Sequence, residues 1–222
     1  MHKKSYPEIL YFGTPVVLIS TRNKNGTYNI APISSIFWLG WRCIIGISAS
    51  SRTTENIQRE GECVLNLPSV NEVSAVNRLA LTTGSDPVPE GKRRKGYHYV
   101  PDKFSVAGLT AQPSETVSVP RILECPVQME AILESVHGIA EHDESQKGKI
   151  LVIEFRIQSV FLEESILMQD SPKRVDPDKW KPLIMSFQKF YGLGNQVHES
   201  RLASVPEKLY HSPDMDLAGN FS

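Results

Sequence analysis

The chain has 222 residues, and its 24 Lys and Arg against 25 Asp and Glu give a formal net charge of −1. Hydrophobic residues make up 40% and charged residues 22% of the sequence, which is typical of a folded globular protein and excludes a disordered chain. The charge balance shows no overall basic excess, so we expect no nucleic-acid partner. The 15 prolines and 14 glycines disfavour a helical bundle and favour short elements in a β-rich fold.

The cysteines indicate a reducing compartment. Cys43, Cys63 and Cys125 are far apart, so they form neither a disulfide framework nor a zinc-ligand pattern, and we expect buried reduced thiols. The basic N-terminus lacks the apolar stretch of a signal peptide, and no apolar run approaches the roughly 18 residues that span a bilayer. We therefore expect a soluble cytoplasmic protein with no bound metal and no membrane contact.

Four strands are predicted in the first third of the chain. Residues 15–21 (PVVLIST) are apolar and β-branched, which indicates a buried strand. Asn25-Gly26 predicts a hairpin turn, after which strand character resumes over residues 28–30. Residues 43–47 (CIIGI) and 62–67 (ECVLNL) predict the third and fourth strands.

Two short helices are predicted around the fourth strand. The first has Thr53 as its N-cap and ends at Gly61 in the C′ position. Ser69 and Glu72 fit a capping box that opens the second helix, which we expect to run to about Leu79.

The rest of the chain predicts a loop, a long hairpin and an irregular tail. Residues 82–99 are polar and rich in Pro and Gly, so we expect a long loop. Residues 128–139 and 149–162 predict an antiparallel pair. At least five strands with two short helices indicate a small closed antiparallel barrel. We expect one domain over residues 1–165, with residues 166–222 as an extension packed on the barrel or on a partner subunit.

The turn between the third strand and the first helix has the composition of a phosphate site. Residues 48–53 (SASSRT) place several hydroxyls and Arg52 at a helix N-terminus, where free N–H groups and a positive dipole end favour an anion. The alternative is a serine-rich turn whose Thr53 caps the helix while Arg52 points into solvent. No GxGxxG or Walker A motif supports another nucleotide site.

A second segment with exposed polar backbone is predicted over residues 29–36 (NIAPISSI). Pro32 has no N–H to donate to a sheet, so we expect strand pairing to be interrupted there, which leaves main-chain groups free to meet a ligand. The alternative is an ordinary edge strand.

Taken in order, these segments resemble the flavin reductase-like, FMN-binding split-barrel family. The resemblance rests on PVVLIST, an Asn-Gly turn, NIAPISS, GISASSRTTENI and ECVLNLPS, and it covers roughly residues 10–165. It continues in the segments 102–104 (DKF), 108–110 (GLT) and 126–130 (PVQME), and more weakly in WKPL and YGLG, to about residue 194. No single one of these motifs is diagnostic by itself.

The resemblance implies a mainly β fold, a six-stranded antiparallel split β-barrel of Greek-key type with a few short helices. It also implies a homodimer with FMN near the interface. The residues implied for the FMN phosphate are Ser50, Ser51, Arg52 and Thr53. Those implied for the isoalloxazine ring and ribityl chain are Asn29, Pro32, Ile33, Ser34, Ser35 and Ile36. Further implied contacts are Asn66, Lys103 and Phe104.

The function that the resemblance implies is hydride transfer from NADH or NADPH to FMN, with onward electron transfer to flavin, oxygen or another acceptor. The sequence contains no persuasive Ser-His-Asp or Cys-His constellation, and flavin chemistry requires none because the cofactor carries it. No catalytic residue is predicted. One alternative is a non-catalytic FMN-binding electron carrier or sensor, in which residues 82–99 or the C-terminal extension block the nicotinamide site. A pyridoxamine 5′-phosphate oxidase-like activity fits these motifs less well.

The basic run Lys92-Arg93-Arg94-Lys95 has three possible roles. It lies in the Pro- and Gly-rich segment and either binds the phosphate of a nicotinamide, binds an acidic partner, or is simply a solvated loop. The sequence alone favours the solvated loop.

Overall fold

In the computed structural model, which describes residues 1–219, strands dominate the first part of the chain. Up to residue 67 the elements are β1 (Phe12–Pro15), β2 (Val17–Arg22), β3 (Tyr28–Ile33), β4 (Ile36–Leu39), β5 (Arg42–Ser48), α1 (Arg52–Glu60) and β6 (Glu62–Leu67).

The middle of the chain contains mostly short elements. After a 3-10 turn at Val70–Glu72 they are α2 (Val73–Arg78), β7 (Thr82–Thr83), α3 (Glu90–Arg93), β8 (His98–Tyr99), α4 (Lys103–Ala107), β9 (Ala111–Gln112) and β10 (Arg121–Ile122).

Two long strands and a series of short elements complete the fold. They are β11 (Val127–Gly138), β12 (Ile150–Leu162), β13 (Leu167–Met168), β14 (Ser171–Val175), β15 (Ile184–Ser186), β16 (Lys189–Tyr191) and α5 (Pro213–Gly219). Short 3-10 turns lie at Glu164–Ile166, Arg201–Ser204 and Glu207–Tyr210.

The main sheet is antiparallel and confirms the predicted mainly β architecture. Its strand order is β3-β2-β6-β11-β12-β5-β4, which is seven strands and therefore one more than the six expected. The additional strand is β4, which pairs with β5 from Ile36↔Ile45 to Leu39↔Arg42. A segment of only four residues shows too little of the alternating pattern to predict a strand from the sequence, and it is the pairing with β5 that defines β4.

Strand β2 explains why residues 15–21 read as a continuous apolar run. Successive side chains of a strand point to opposite faces of its sheet. Val17 and Ile19 lie in the core enclosed by the main sheet, together with Ile45 and Phe155. Leu18 faces a second core on the outer side of the sheet. Both faces of β2 are therefore buried.

The second core joins the outer face of the sheet to the helices. Leu18 and Ile30 of the sheet contact Val76 and Leu79, in and just after helix α2, within one buried cluster. Each fully buried aliphatic side chain of this kind contributes about 1.5–3 kcal/mol to the burial free energy. This packing holds α2 beside β2 and β3, where the cavity described below lies.

The predicted turns are mostly confirmed, but the start of helix α1 is corrected. Gly26 has φ 83° in the hairpin turn, and Gly61 has φ 74° at the end of α1. The N-cap of α1 is Ser51, whose Oγ accepts from the Thr54 N–H at 3.0 Å, and not Thr53. Thr53 lies inside the helix, where its hydroxyl accepts a hydrogen bond from Asn29 instead.

The second helical start and the long hairpin agree with the sequence patterns. Ser69 and Glu72 form the predicted capping box, which opens a 3-10 turn that leads into α2. Strands β11 and β12 pair from Val127↔Leu162 to Gly138↔Leu151.

The segment over residues 82–99, predicted as a long loop, also contains short regular elements. Strands β7 and β8 pair in parallel, and α3 lies between them. Glu90 supports α3 because it pairs with Arg93 and Arg94, three and four residues along the helix. The segment therefore has a defined position against the rest of the chain.

The C-terminal extension packs on the first part of the chain, partly through a separate three-stranded sheet of order β1-β15-β16. Strand β15 pairs with β1, and the Val16 N–H donates to the Leu183 oxygen at 2.8 Å. Trp180 contacts the core inside the sheet. Of the helices that the structure describes, none is long and apolar enough to cross a membrane.

Candidate functional site

A cavity of about 790 Å³ lies between the sheet and the short elements that follow it. Its walls come from β2 and β3, the turn before α1, helix α2, the segment from β7 to Tyr97, and the β15–β16 hairpin. This volume falls within the range of about 300–1,000 Å³ that is usual for cofactor and ligand sites.

The cavity brings together most of the residues that the resemblance implies. The predicted residues that line it are Asn29, Pro32, Ile33, Ser34, Ser35, Ser51, Arg52, Thr53 and Lys103. Four predicted residues are absent from this lining: Ile36, Ser50, Asn66 and Phe104. Ile36 is buried in the inner core, Phe104 packs on the second core, and Ser50 is exposed.

Asn66 is fully buried, and its polar atoms are engaged within the protein. Its Nδ2 donates to the Leu18 oxygen at 3.0 Å and to the Ser20 hydroxyl at 2.9 Å. Its Oδ1 accepts from the Ile122 N–H at 2.8 Å. These bonds tie β6 to β2 and to β10, so in this structure the side chain joins parts of the fold.

Asn29 is a cavity residue with a buried hydrogen-bond acceptor that has no donor among the described residues. The residue is 2% exposed, and its Nδ2 donates to the Thr53 hydroxyl at 3.1 Å. Its Oδ1 has no hydrogen-bond donor among the described residues. A buried acceptor without a donor costs about 1–3 kcal/mol, so this oxygen favours a ligand that brings an N–H or O–H group.

Arg52 is fixed at the start of α1 and does not extend into solvent. Its Nε donates to the Gly84 oxygen at 2.9 Å, and its Nη1 donates to the Glu55 carboxylate at 2.6 Å. The side chain is 24% exposed. The guanidinium is therefore held at the cavity wall, next to the N-terminus of a nine-residue helix.

Lys103 is a buried cation beside the β3 strand. It is 3% exposed, and its Nζ donates to the Ile30 oxygen at 3.0 Å. Burial, together with the nearby charge of Lys92, lowers the pKa of Lys103 to about 8. An anion in the cavity would stabilise the charged form of Lys103 by electrostatic attraction and could accept hydrogen bonds from its three N–H donors.

Lys92 is a cavity residue that the motif comparison did not assign to the flavin. Its Nζ lies 3.3 Å from the Thr83 hydroxyl and 6.0 Å from the centre of the Tyr97 ring. Burial lowers the pKa of Lys92 from its ordinary value. The segment predicted as a loop contains Thr83, Lys92 and Tyr97. The basic run at residues 92–95 was the only pattern in that segment that pointed to a binding role.

Strand β3 corrects the expectation that pairing stops at Pro32. Pro32 pairs with Leu18 in register, and the ladder continues to Val17↔Ile33. A proline is tolerated because β3 is the edge strand of the sheet, so its missing N–H does not break an internal ladder. The other side of β3 has no partner strand, so its main-chain groups form no ladder hydrogen bonds there.

Two segments that are distant from each other in sequence also line the cavity. Tyr11 lines it, with its hydroxyl 3.1 Å from the Ser35 hydroxyl, and the β15–β16 hairpin adds Met185, Gln188 and Phe190. Nothing local in the sequence marks these residues, because the pairing of β15 with β1 places them there.

The charge of the cavity is one-sided. Among residues 1–219, those that line it include four cations and no carboxylate; the cations are Arg52, Lys92, Lys95 and Lys103. Apolar side chains such as Val16, Ile19 and Leu79 form much of the remaining wall. Cations and hydroxyls beside an apolar wall suit a ligand with both a phosphate and a flat apolar body.

Comparison with known proteins gives the family. The model of the flavin reductase like domain matches residues 9–154. The uncharacterized protein YdfE of Bacillus subtilis strain 168 is 36% identical over 195 residues, which cover 88% of this chain and 91% of YdfE.

Solved structures give the fold. The flavoredoxin of Desulfovibrio vulgaris (Miyazaki F) aligns with a TM-score of 0.71 at 22% identity, over 91% of this chain and 99% of that one. The nitrilotriacetate monooxygenase component B of Bacillus cereus aligns with a TM-score of 0.68 at 20% identity, over 85% of this chain and 88% of that one. The chain belongs to the flavin reductase-like domain family, with the split-barrel fold and the flavin-related redox function of that family.

Proposed function

We propose that the protein is an FMN-binding oxidoreductase of the flavin reductase type. It takes hydride from NADH or NADPH and passes the electrons to flavin, oxygen or another acceptor. The observation that carries the proposal is the cavity lined by Asn29, whose buried Oδ1 has no donor among the described residues, together with the cations Arg52 and Lys103. A phosphorylated flavin offers the N–H and O–H donors and the dianionic phosphate that these groups lack.

The phosphate would be held at the start of α1. Arg52 supplies a guanidinium, Thr53 a hydroxyl and Lys103 an ammonium that is already desolvated. Charge-assisted hydrogen bonds of this kind are stronger than neutral ones because the protein excludes competing water. A phosphomonoester end also distinguishes FMN from riboflavin, which has no phosphate.

The ring and ribityl chain would lie along β3 and the residues that follow it. Asn29 accepts a hydrogen bond through Oδ1, and Ser34 and Ser35 offer hydroxyls. The unpaired edge of β3 offers main-chain groups in fixed positions. When bound, FMN supplies the chemistry of accepting a hydride and releasing its electrons.

The remaining contribution of the chain is orientation. The apolar residues Val16, Ile19 and Leu79, together with Phe190 of the hairpin, restrict the cavity and exclude water from one side of it. Hydride transfer requires donor and acceptor atoms to be held about 3–3.5 Å apart, which is achieved by binding geometry and not by an acid or base.

A cytoplasmic location is part of the proposal. All three cysteines are buried and none forms a disulfide, which suits a reducing compartment. Burial raises the pKa of the Cys43 thiol to about 12, so this thiol stays protonated and unreactive at neutral pH.

A homodimer is also part of the proposal. The edge strand β4 exposes Phe37 at 52% and Leu39 at 69% of their surface. Exposed apolar side chains close together favour burial against another surface, and a second copy of this chain would cover them. Analytical ultracentrifugation of the wild type and of a Phe37→Ser, Leu39→Ser variant tests this. A wild type that sediments as a monomer contradicts the proposal.

The function is tested by anaerobic mixing of the FMN-loaded protein with NADH and, separately, with NADPH. We expect the visible absorbance of the flavin to bleach with at least one of them. Flavin that remains oxidised with both nicotinamides, yet is reduced by dithionite, would overturn the catalytic proposal in favour of an electron carrier or sensor.

A further inference from the structure

The basic run at residues 92–95 divides into two pairs with different surroundings. Arg93 and Arg94 both pair with Glu90 on the same helix, and their side chains are 72% and 78% exposed. Lys92 and Lys95 line the cavity instead. Residues three apart in a helical turn lie on the same side, so the two lysines face the cavity together.

With Lys92 and Lys95, the cavity carries more positive charge than one flavin phosphate can neutralise. A phosphomonoester carries a charge of about −1.5 to −2 at neutral pH. Arg52 and Lys103 face this charge, with Arg52 already paired to Glu55 beside the cavity, and no carboxylate among the described lining residues balances Lys92 and Lys95, so the four cations together still exceed one phosphate. Burial lowers the pKa of Lys92, and the charge of Lys92 in turn contributes to lowering the pKa of Lys103. A second anionic group would relieve this concentration of like charge.

The immediate surroundings of Lys92 suit a second phosphate attached to an aromatic base. The Thr83 hydroxyl lies 3.3 Å from Nζ and is a further donor to phosphate oxygens. Tyr97 also lines the cavity, and its ring offers a flat face on which a base can stack. An ammonium, a hydroxyl and an aromatic ring are therefore grouped at one part of the cavity wall.

We propose that Lys92 and Lys95 bind the 2′-phosphate of NADPH, so that the protein uses NADPH in preference to NADH. The two nicotinamides have the same redox chemistry and differ only by this phosphomonoester, so contacts to it decide the preference. The proposal rests on the proposed function, because it names the hydride donor of that same site. The flavin has a phosphomonoester of its own, and the experiment separates the two.

The kinetic experiment compares kcat/KM for NADPH and NADH in the FMN-loaded protein. We expect the wild type to prefer NADPH, and Lys92→Gln or Lys95→Gln to lower kcat/KM for NADPH about tenfold with little change for NADH. The matched controls are Arg93→Gln and Arg94→Gln, which remove the same charge from the same segment. The controls should retain the NADPH preference. Equal use of the two nicotinamides by the wild type overturns the proposal.

A binding experiment gives a readout that needs no turnover. Calorimetric titration with adenosine 2′,5′-bisphosphate should give an affinity at least about tenfold above that of 5′-AMP, and Lys95→Gln should abolish the difference. Equal affinities for the two probes overturn the proposal. So does a loss of FMN affinity in the lysine variants as large as that in Arg52→Gln, because the lysines would then serve the flavin phosphate. If neither nicotinamide bleaches the flavin, the proposed function fails, but this titration still decides the role of the lysines.

Discussion

The backbone of Gly84 lies against the side chain of Asn29, so that a Cβ at residue 84 would be 2.5 Å from Asn29 Oδ1. The same Cβ would be 3.2 Å from Cγ of Arg52. The Gly84 oxygen meanwhile accepts the hydrogen bond that fixes Arg52. The absence of a side chain at Gly84 therefore positions both Asn29 and Arg52.

Replacing Gly84 by Ala tests this relationship. The methyl group must displace the Asn29 amide and push on the Arg52 stem, so we expect FMN affinity to fall about tenfold or more, which is about 1.4 kcal/mol. Flavin fluorescence titration measures the change. Gly91→Ala is the matched control, since a Cβ there has nothing within 4 Å. An unchanged FMN dissociation constant in Gly84→Ala would show that Asn29 and Arg52 adjust without cost.

Lys103 predicts a pH dependence of stability in the FMN-free protein. Its pKa is about 8 in the folded chain against an ordinary value of 10.5, so below pH 8 the folded state bears the full cost of a buried charge. Between pH 8 and 10.5 the unfolded chain binds more protons, and the free energy of unfolding therefore rises with pH. The total rise is about 3 kcal/mol at most.

A comparison with Lys103→Met isolates this contribution. Urea denaturation at pH 7 should show the variant to be more stable than the wild type. The difference should shrink towards pH 10, because Lys103 in the folded wild type is then uncharged. The other titrating groups are common to both proteins and cancel in the comparison. FMN should bind the wild type more weakly as the pH rises above 8, since the ammonium loses its charge. A stability difference that does not change with pH would contradict the pKa assignment.

The tip of the β15–β16 hairpin predicts a stabilising substitution. Phe187 and Gln188 both have positive φ, at 45° and 63°. Left-handed backbone costs about 1–2 kcal/mol for a residue with a side chain and little for glycine. We expect Gln188→Gly to raise the free energy of unfolding by about 1 kcal/mol. Gln188→Ala removes the side chain but keeps the strain, and it should not be more stable than the wild type; equal stabilities of the two variants would refute the argument.

Helix α5 is attached to the sheet by a paired ion contact. Arg42 donates through Nε and Nη2 to the two carboxylate oxygens of Asp214, at 3.0 and 3.1 Å. The side chain of Asp214 is 16% exposed, whereas that of Asp216 on the same helix is 70% exposed. Asp214→Asn should cost about 1 kcal/mol and speed proteolysis within the mostly exposed residues 193–211. Asp216→Asn is the control, and equal cleavage rates in the two variants would contradict the prediction.

The sequence predicted those parts of the site that depend on local patterns. The hairpin turn at Gly26, the hydroxyl-rich start of α1 and the strand carrying Asn29 all follow from residues next to each other in the chain. Strand β2 was readable because both of its faces are buried, which produces an uninterrupted apolar run.

The opposite wall of the cavity was not predictable because it depends on long-range pairing. Gly84 and Lys92 reach the site through the pairing of β7 with β8, including the bond from the His98 N–H to the Leu81 oxygen. Gln188 arrives through the pairing of β15 with β1. Composition marked residues 82–99 as polar and rich in turns, and it contained no information about this contact.

The most direct test of the cavity as the flavin site is the dissociation constant of FMN for the wild type and for Arg52→Ala. Loss of one charged hydrogen-bonding group should weaken binding by about 1.5–3 kcal/mol, roughly 10- to 150-fold. Riboflavin, which has no phosphate, should bind both proteins with similar affinity. An FMN affinity that is the same in the wild type and in Arg52→Ala, or a wild-type protein that binds no FMN, would contradict the account.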